Sequence, residues 1–323
     1  MKIQTGKNQY SKPSRTSNQM DVNTVIHEFI QWHALPKDYS RIAQTWFIPV
    51  IDSILECKAA SDIPLVIGVN GSQGSGKSTL ADLVVCTLER VHGLSALSLS
   101  IDDFYLTRIE REQLADTIHP LLATRGVPGT HDTNLAYRTL ERLKTYTEPV
   151  AVPRFDKSRD DRFPEDNWGM VTQTADVIIL EGWCVGSVAQ EDRALTRAVN
   201  KLESEEDTDG VWRTYVNLQL RNNYPKLFSF VDIWIMLKAP SFECVFGWRL
   251  EQEQKLQTSL AEQGKADSAT ALMSRKAVAR FIQHHQRITE HTLKTLPGAV
   301  HFLFELDGKR EIEKFSTPVT LVC

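Results

Sequence analysis

The chain has 323 residues, of which 41% are hydrophobic and 24% charged, and these globular proportions exclude a fibrous or largely disordered protein. Its net charge of −4 gives no general attraction to nucleic acid or anionic lipid, so any affinity for phosphate must come from a local site. The apolar runs are of strand length, far short of the roughly 20 residues that span a membrane.

The N-terminal segment and the cysteines bear on the compartment. Residues 1–20 are polar, basic and free of acids, which predicts disorder, and they lack the apolar region of a secretory signal. A transit peptide is the alternative interpretation. An odd number of cysteines without a C-x-x-C pair predicts reduced thiols in a cytoplasmic protein. The cysteines are Cys57, Cys86, Cys184, Cys244 and Cys323.

A single domain is predicted for residues 21–323. Within residues 21–61, apolar residues recur at helical spacing with a break at Pro36, which predicts a helical preface. Residues 62–323 alternate strand-like and helix-like segments, which predicts an α/β core with a mostly parallel sheet between helical layers. The five predicted strands are 65–69, 97–101, 177–180, 231–237 and 300–306. The acidic stretch 203–209 is predicted to be a solvated loop.

A glycine-rich turn follows the first strand. Residues 71–78 read G-S-Q-G-S-G-K-S and fit G-x-x-x-x-G-K-[ST], with a strand before and an amphipathic helix after. The glycines permit the backbone angles by which successive N–H groups surround phosphate, and the lysine adds a positive charge. The motif predicts a three-layer P-loop NTPase fold with strand order 2-3-1-4-5. The predicted nucleotide-binding residues are Gly71, Ser72, Gln73, Gly74, Ser75, Gly76, Lys77, Ser78 and Thr79.

The third strand separates the classes of P-loop protein. It ends in Glu181-Gly182, whereas a GTPase would have D-x-x-G there, and the LSGGQ of an ABC-type ATPase is absent. A small-molecule kinase using ATP and Mg²⁺ is therefore favoured. Glu181 occupies the position of a Walker-B acid and, with the Ser78 hydroxyl, is predicted to hold the metal; a buried structural carboxylate is the alternative.

Two acids end the second strand, in the sequence Asp102-Asp103-Phe104-Tyr105. Ligands of open α/β sheets bind beyond the carboxyl ends of the strands, so this pair is expected to face the P-loop. Successive side chains of an extended segment point in opposite directions, so one carboxylate is expected to face the substrate as the catalytic base. The alternative is an acidic turn without a catalytic role.

Further motifs give the chain a specific resemblance. D-x-F-Y at the second strand resembles the corresponding element of uridine kinases and phosphoribulokinases, which implies that Asp102 is the base. The segments R-G-V-P-G-T-H-D (125–132), P-R-F-D-K-S (153–158) and L-E-G-W (180–183) resemble plant-type D-glycerate 3-kinases, in order, from about residue 36 onward. Two departures are S-R-D-D-R at 158–162, where the plant members have G-R-G-D-R, and Val127-Pro128, where they have Asn-Ala.

The basic residues of these motifs suit an acidic acceptor, because the planar arginine fork matches a carboxylate. Arg125 and Arg154 are predicted to hold the acceptor, whereas Arg159 and Arg162 are equally consistent with surface salt bridges. His131 is either an orienting hydrogen-bond donor or a direct ligand. The predicted substrate-binding residues are Asp103, Tyr105, Arg125, His131, Asp132, Arg154 and Lys157.

Two regions beyond the core are predicted to complete the site. An insertion at about 108–174 carries the acceptor motifs, and a helical lid at about 245–276 is expected to supply Arg249 to the transferring phosphoryl group. An exposed polar helix is the alternative for the lid, and Lys255 and Arg275 are weaker candidates. Asp307-Gly308 is predicted to border the adenine. His284, His285 and Trp183 are predicted to have packing roles.

The resemblance implies the reaction ATP + D-glycerate → ADP + 3-phosphoglycerate, with Mg²⁺, Lys77 on the phosphates and Asp102 as base. The alternatives are a kinase for another acceptor, such as a nucleoside, pantothenate or a sugar phosphate, and an ATP-binding regulatory protein without turnover. The expected partner is a small acidic metabolite, with no nucleic acid and no membrane. The expected protein is a cytoplasmic monomer or homodimer.

Overall fold

The computed structural model describes residues 19–262 and 273–323. The predicted disorder of the N-terminal segment falls largely outside these residues, as does part of the predicted lid, and the Lys255 side chain also lies outside the description. At the start of the described chain, the Met20 N–H donates to the Arg90 carbonyl oxygen (3.1 Å). The chain is therefore attached to the core from this residue onward.

The predicted helical preface is present as three helices. They are α1 (Val22–Trp32), α2 (Tyr39–Ile42) and α3 (Ile48–Ala59), with a π-helical turn between α2 and α3. The Asp21 carboxylate caps α1 by accepting from the Thr24 N–H (3.1 Å), which satisfies a helix-end donor. Phe29 and Ile54 are buried in the same core cluster as Ile67 of the sheet. The preface therefore covers one face of the sheet.

The strands form one large sheet and two small hairpins. The strands are β1 (Leu65–Gly71), β2 (Ala96–Ser100), β3 (Val150–Val152), β4 (Phe155–Asp156), β5 (Asp161–Arg162), β6 (Gly169–Val171), β7 (Val177–Gly182), β8 (Ile233–Lys238), β9 (Phe302–Leu306) and β10 (Ile312–Ser316). The large sheet has the order β10-β9-β8-β1-β7-β2. Its five parallel strands confirm the predicted order 2-3-1-4-5.

The predicted number of strands was wrong, because β10 adds a sixth. It pairs antiparallel with β9 and lies at the sheet edge, where its side chains are partly or fully exposed. Such a strand has no continuous apolar run, and a run of that kind is what predicts the buried parallel strands. It is stabilised by pairing with β9 and by Ile312 and Phe315, which are partly buried against the core.

Eight helices follow the preface in the described chain. They are α4 (Lys77–Arg90), α5 (Arg108–Thr117), α6 (Thr133–Thr145), α7 (Lys201–Glu206), α8 (Val211–Asn222), α9 (Tyr224–Phe228), α10 (Phe242–Glu262) and α11 (Arg275–Thr295). Alternate residues of β1 face opposite core clusters, with Ile67 in one and Val66 in the other. The three-layer α/β fold is thereby confirmed, and it places the carboxyl ends of β1, β2 and β7 at one edge.

The acidic stretch is not the predicted solvated loop. Part of it forms α7, and Glu203 and Asp207 are each 1% exposed. Glu203 pairs with Arg287 (2.6 Å) and Asp207 with Arg213 (2.9 Å). Arg287 and Arg213 belong to helices that follow this stretch in the sequence. The local composition therefore does not reveal that the two acids are paired and buried.

The cysteine prediction was wrong for one pair. Cys57 at the end of α3 and Cys323 form a disulfide across 266 residues of sequence, whereas Cys86, Cys184 and Cys244 are free. Sequence spacing could not indicate this pair, because the preface and the C-terminal segment meet only in the folded chain. The inference of a cytoplasmic location from reduced thiols therefore loses its basis. Within the two described ranges, no helix combines the length and apolar composition needed to span a membrane.

Candidate active site

The P-loop joins β1 to α4 and has the geometry of a phosphate cradle. Gly74 (φ 81°) and Gly76 (φ 92°) adopt left-handed backbone conformations, which glycine adopts without steric cost. The Ser72 and Ser75 hydroxyl oxygens are buried and have no hydrogen-bond partner among the described residues. Buried polar groups without partners are rare in folded proteins, and phosphate oxygens at the start of α4 would provide those partners.

Replacing Gly74 by alanine should weaken ATP binding about tenfold. A Cβ there would lie 2.6 Å from the Trp248 Cβ, and a left-handed conformation costs a non-glycine residue roughly 1–2 kcal/mol. Gly247→Ala is the matched control, because a Cβ at that position on the adjacent helix meets no atom within 4 Å. Fluorescence titration with a nucleotide analogue measures both variants. Equal affinities would contradict the assigned role of this glycine.

Ser78 and Glu181 meet beside the P-loop lysine. The Ser78 Oγ donates to Glu181 Oε1 (3.1 Å), and Lys77 Nζ lies 3.9 Å from Oε2. Glu181 is 6% exposed, and its Oε2 atom has no hydrogen-bond partner in the described part of the chain. Burial raises the pKa of this carboxyl. A buried carboxylate oxygen beside a hydroxyl fits Mg²⁺, which prefers oxygen ligands.

Asp102 lies at the same edge, in the 3-10 turn that follows β2. Ser100 is in register with Glu181 on the neighbouring strand. Asp102 comes two residues after Ser100 and therefore lies close to Glu181. Its Oδ1 accepts from the Tyr105 hydroxyl (3.0 Å) and its Oδ2 from Lys157 Nζ (2.9 Å). Burial acts to raise the pKa of Asp102, but Lys157 and Lys77 outweigh it and hold that pKa well below its usual range. The carboxylate is therefore ionised at neutral pH.

Asp102 and Asp103 both lie in the 3-10 turn Ile101–Phe104 and not in the extended segment that was predicted, and Asp103 has its own partners. It accepts from Arg154 Nη1 (2.7 Å) and from the Phe155 N–H (3.2 Å). These bonds attach the β4–β5 hairpin to the end of β2. Because Lys157 lies in the turn of this hairpin, Asp103 and Arg154 help to place it beside Asp102.

The other predicted acceptor cations also face acids or backbone oxygens. Arg125 pairs with Asp160, and the buried Arg111 pairs with the same acid (3.1 Å). Arg162 donates to the Tyr105 carbonyl oxygen (2.8 Å), which is a structural role. Asp160 is one of two residues that replace glycines of the plant-type motif, and it has a left-handed φ of 56°. The positive charge of the site is thus largely balanced.

Two further predicted residues have structural partners. Asp132 caps α6 by accepting from the Leu135 N–H (2.8 Å). Arg159 is 80% exposed and lies 3.7 Å from Asp156, consistent with the surface-pair interpretation. Acceptor contacts by Asp132 therefore remain a prediction.

His131 is enclosed next to Asp102. Its ring stacks on Tyr105 with centroids 4.4 Å apart, and its Nδ1 lies 2.6 Å from the Tyr224 hydroxyl. Burial lowers the pKa of the imidazole to about 4, so the ring is neutral at pH 7. Sequence reasoning missed Tyr224, since it belongs to no motif and only the fold brings α9 to this position.

Helix α10, which covers part of the predicted lid, contacts the P-loop through Trp248. The indole N–H donates to the Gly308 carbonyl oxygen (2.8 Å). The Trp248 side chain therefore lies between Gly74 and the loop that follows β9. The neighbouring Arg249 pairs with Glu253 and lies over the Phe281 ring. Its contact with a phosphoryl group remains a prediction. Arg275 lies over the Phe246 ring at 6.0 Å.

Three residues predicted to pack are buried. Trp183 donates its indole N–H to the Gly126 carbonyl oxygen (3.1 Å) and contacts the His285 ring at 4.7 Å. His284 and His285 are 3% and 1% exposed. His285 lies against Gly126 of the acceptor motif, whereas His284 packs against the Trp212 ring.

Comparisons with known proteins identify relatives of this chain. Residues 66–198 match the model of the phosphoribulokinase / uridine kinase family. The uncharacterized kinase mug58 of Schizosaccharomyces pombe is 33% identical over 247 residues, which cover 74% of this chain and 84% of that protein. The chloroplastic D-glycerate 3-kinase of Arabidopsis thaliana is 30% identical over 249 residues, covering 74% of this chain and half of that protein (50%).

A solved structure extends the comparison to the fold. The D-glycerate 3-kinase of Cryptococcus neoformans superposes with a TM-score of 0.69 and 25% identity, over 84% of this chain and 98% of that one. With the P-loop, the Walker-B acid and the strand order on the same sheet, the chain belongs to the phosphoribulokinase / uridine kinase family of P-loop kinases.

Proposed function

We propose that the chain transfers the γ-phosphoryl group of ATP to D-glycerate and releases 3-phosphoglycerate. The observation that carries the proposal is the ionised Asp102 carboxylate, held between Tyr105 and Lys157 beside the P-loop lysine. Two similar proteins that bear the name D-glycerate 3-kinase support this choice of acceptor.

The phosphate side positions ATP. The P-loop amides and Lys77 would hold the β- and γ-phosphates, and charge neutralisation by preorganised donors is the main contribution to phosphoryl transfer. Ser78 and Glu181 are the residues that would hold Mg²⁺, which when bound neutralises charge on the transferring group. Arg249 would add a further positive charge after release from Glu253.

The acceptor side supplies the base and the orientation. The acceptor oxygen bonds to the γ-phosphorus as the bond to the β–γ bridging oxygen breaks, and the hydroxyl proton passes to Asp102. Arg125 and Arg154 are placed by Asp160 and Asp103, and a substrate carboxylate would share their guanidinium groups. The balanced charge of this region supports a small monoanionic acid over a doubly charged sugar phosphate.

A panel of acceptors tests the proposal. ADP release would be measured with D-glycerate, L-glycerate, uridine, pantothenate and a pentose phosphate, each with ATP and Mg²⁺. We expect kcat/KM for D-glycerate to exceed that for the others by at least about 100-fold, or roughly 2.7 kcal/mol. Turnover of uridine or pantothenate without turnover of glycerate would show that D-glycerate is not the acceptor. Binding of ATP without turnover of any acceptor would favour a regulatory protein.

Replacing Lys157 by glutamine should move the acidic limb of the kcat/KM profile to higher pH. In the wild type the pKa of Asp102 is lowered, so the base stays ionised as the pH falls well below neutrality. Without the Lys157 charge, the opposing effect of burial raises that pKa, and the base is protonated at a higher pH. Lys201→Gln, at a side chain that is 75% exposed, is the control. An unmoved limb would show that Lys157 does not govern this carboxylate.

A further inference from the structure

A short series of hydrogen bonds ends at His131, behind the predicted acceptor site. The Gly129 N–H donates to the Tyr224 hydroxyl oxygen (3.1 Å), and the same oxygen lies 2.6 Å from His131 Nδ1. Tyr224 is 0% and His131 5% exposed, so bulk water does not complete their bonding. These three groups belong to the acceptor motif and to α9, about 95 residues apart in sequence.

The proton positions in this series of hydrogen bonds follow from what each group can donate. The backbone N–H of Gly129 can only donate, so the Tyr224 oxygen accepts from it. The single hydroxyl proton of Tyr224 then has His131 Nδ1 as its acceptor. The opposite arrangement, with Nδ1 carrying the proton, would leave two buried groups unpaired, the Tyr224 hydroxyl donor and the Nε2 acceptor, instead of Nε2–H alone. Each unpaired group costs about 1–3 kcal/mol. The neutral ring therefore carries its proton on Nε2.

That Nε2 atom is buried and has no hydrogen-bond partner among residues 19–262 and 273–323. The ring that carries it stacks on Tyr105, whose hydroxyl binds the base Asp102 (3.0 Å). The loop behind it is fixed, because the Thr130 Oγ1 donates to the Val127 carbonyl oxygen (2.7 Å) and accepts from the Gly126 N–H (3.1 Å). An unpaired nitrogen is thus held beside the Tyr105 ring, whose hydroxyl binds Asp102.

We propose that Tyr224 is a positioning residue that fixes His131 as a neutral Nε2–H donor, and that this N–H binds an oxygen of the acceptor. The inference rests on the proposed kinase function and adds a specificity element to the same site. A neutral donor binds a hydroxyl or carboxylate oxygen without adding a charge to a region that is already balanced. Acceptors without an oxygen at that point would leave the N–H unpaired, which discriminates strongly between substrates.

The tautomer can be measured in the free protein. Ring-labelled histidine gives ¹⁵N shifts that separate the two neutral tautomers, and the loss of one of the nine histidine signals in His131→Gln assigns residue 131. We expect the Nε2–H form in the wild type, and an Nε2 shift when ADP and D-glycerate are added together. A wild-type Nδ1–H form would overturn the proposal, as would an Nε2 signal unchanged by an acceptor that the enzyme turns over.

Kinetics of Tyr224→Phe test the link to the acceptor. Loss of a neutral hydrogen bond corresponds to about a 3- to 10-fold change, which we expect in KM for the acceptor, with kcat and KM for ATP nearly unchanged. Tyr215→Phe is the matched control, since the Tyr215 ring also faces Gly129. The Tyr215 hydroxyl takes no part in the hydrogen bonds between Gly129, Tyr224 and His131. An unchanged acceptor KM in Tyr224→Phe would overturn the proposal.

The two proposals fail in different ways. The tautomer of the free protein does not depend on which acceptor is used, so a wrong acceptor leaves the expected Nε2–H signal in place. Conversely, turnover of D-glycerate with an Nδ1–H ring would retain the proposed function and remove only the role of Tyr224. If Tyr224→Phe does not fold, the wild-type spectrum still decides the tautomer.

Discussion

Asp102→Asn should lower kcat by a factor of about 10²–10⁴, the usual contribution of a positioned general base, while ATP still binds. The carboxylate lies between the Tyr105 hydroxyl and Lys157, next to Lys77 and Glu181. Asparagine keeps the size of the side chain and can still accept from Tyr105, but it cannot take the acceptor proton. The loss should therefore appear in the chemical step.

Single-turnover kinetics and nucleotide titration separate these effects. ATP affinity should be equal to or greater than that of the wild type, since a negative charge near the phosphates has been removed. Asp166→Asn, at an exposed position of the insertion at about 108–174, should behave as the wild type. A kcat within about threefold of the wild type would contradict the assignment of Asp102, because a base normally contributes at least about 100-fold.

Arg287→Met should reduce the free energy of unfolding by about 3–5 kcal/mol, because breaking a buried ion pair leaves the remaining charge uncompensated. Arg287 donates from Nε and Nη2 to the two carboxylate oxygens of Glu203 (2.7 and 2.6 Å). It also donates to the carbonyl oxygens of Ala194 and Arg197 (2.9 and 2.6 Å). Methionine would fill much of the volume of the arginine side chain. The methionine side chain has no N–H group, so each of these oxygens would lose the hydrogen bond that it accepts from Arg287.

The same helix offers a matched control. Arg280 of α11 pairs with Glu206, and these side chains are 50% and 41% exposed, so Arg280→Met should cost less than about 1 kcal/mol. Urea unfolding monitored by tryptophan fluorescence compares the two variants with the wild type. Equal losses in both would show that burial of the Arg287–Glu203 pair does not matter for stability.

Features set by neighbouring residues were predictable from sequence. The P-loop was found because its glycines, lysine and serine lie within eight consecutive positions between a strand and a helix. Asp102 was placed at the same edge because it directly follows the second strand, and parallel strands share the edge at which they end. The order of the five parallel strands also followed from recognising the P-loop, and the structure confirms it.

Features set by distant pairings were missed. Glu203 was assigned to a solvated loop because its sequence neighbours are acidic, whereas its partner Arg287 lies 84 residues away. Cys57 and Cys323 gave no spacing signal, and β10 had no apolar run because its side chains at the sheet edge are partly or fully exposed. Tyr224 is a single tyrosine at the start of a short helix, and its role depends on Gly129 and His131.

Local sequence patterns were sufficient to indicate the glycine-rich loop, the acids Asp102 and Glu181 at the strand ends, and the order of the five parallel strands. Each of these depends on short-range spacing and on backbone rules for parallel sheets. Which charges are paired and which cysteines meet became clear only in the folded chain. Those outcomes depend on burial and on contacts between elements far apart in the chain, where desolvation rather than local pattern fixes the partner of each polar group.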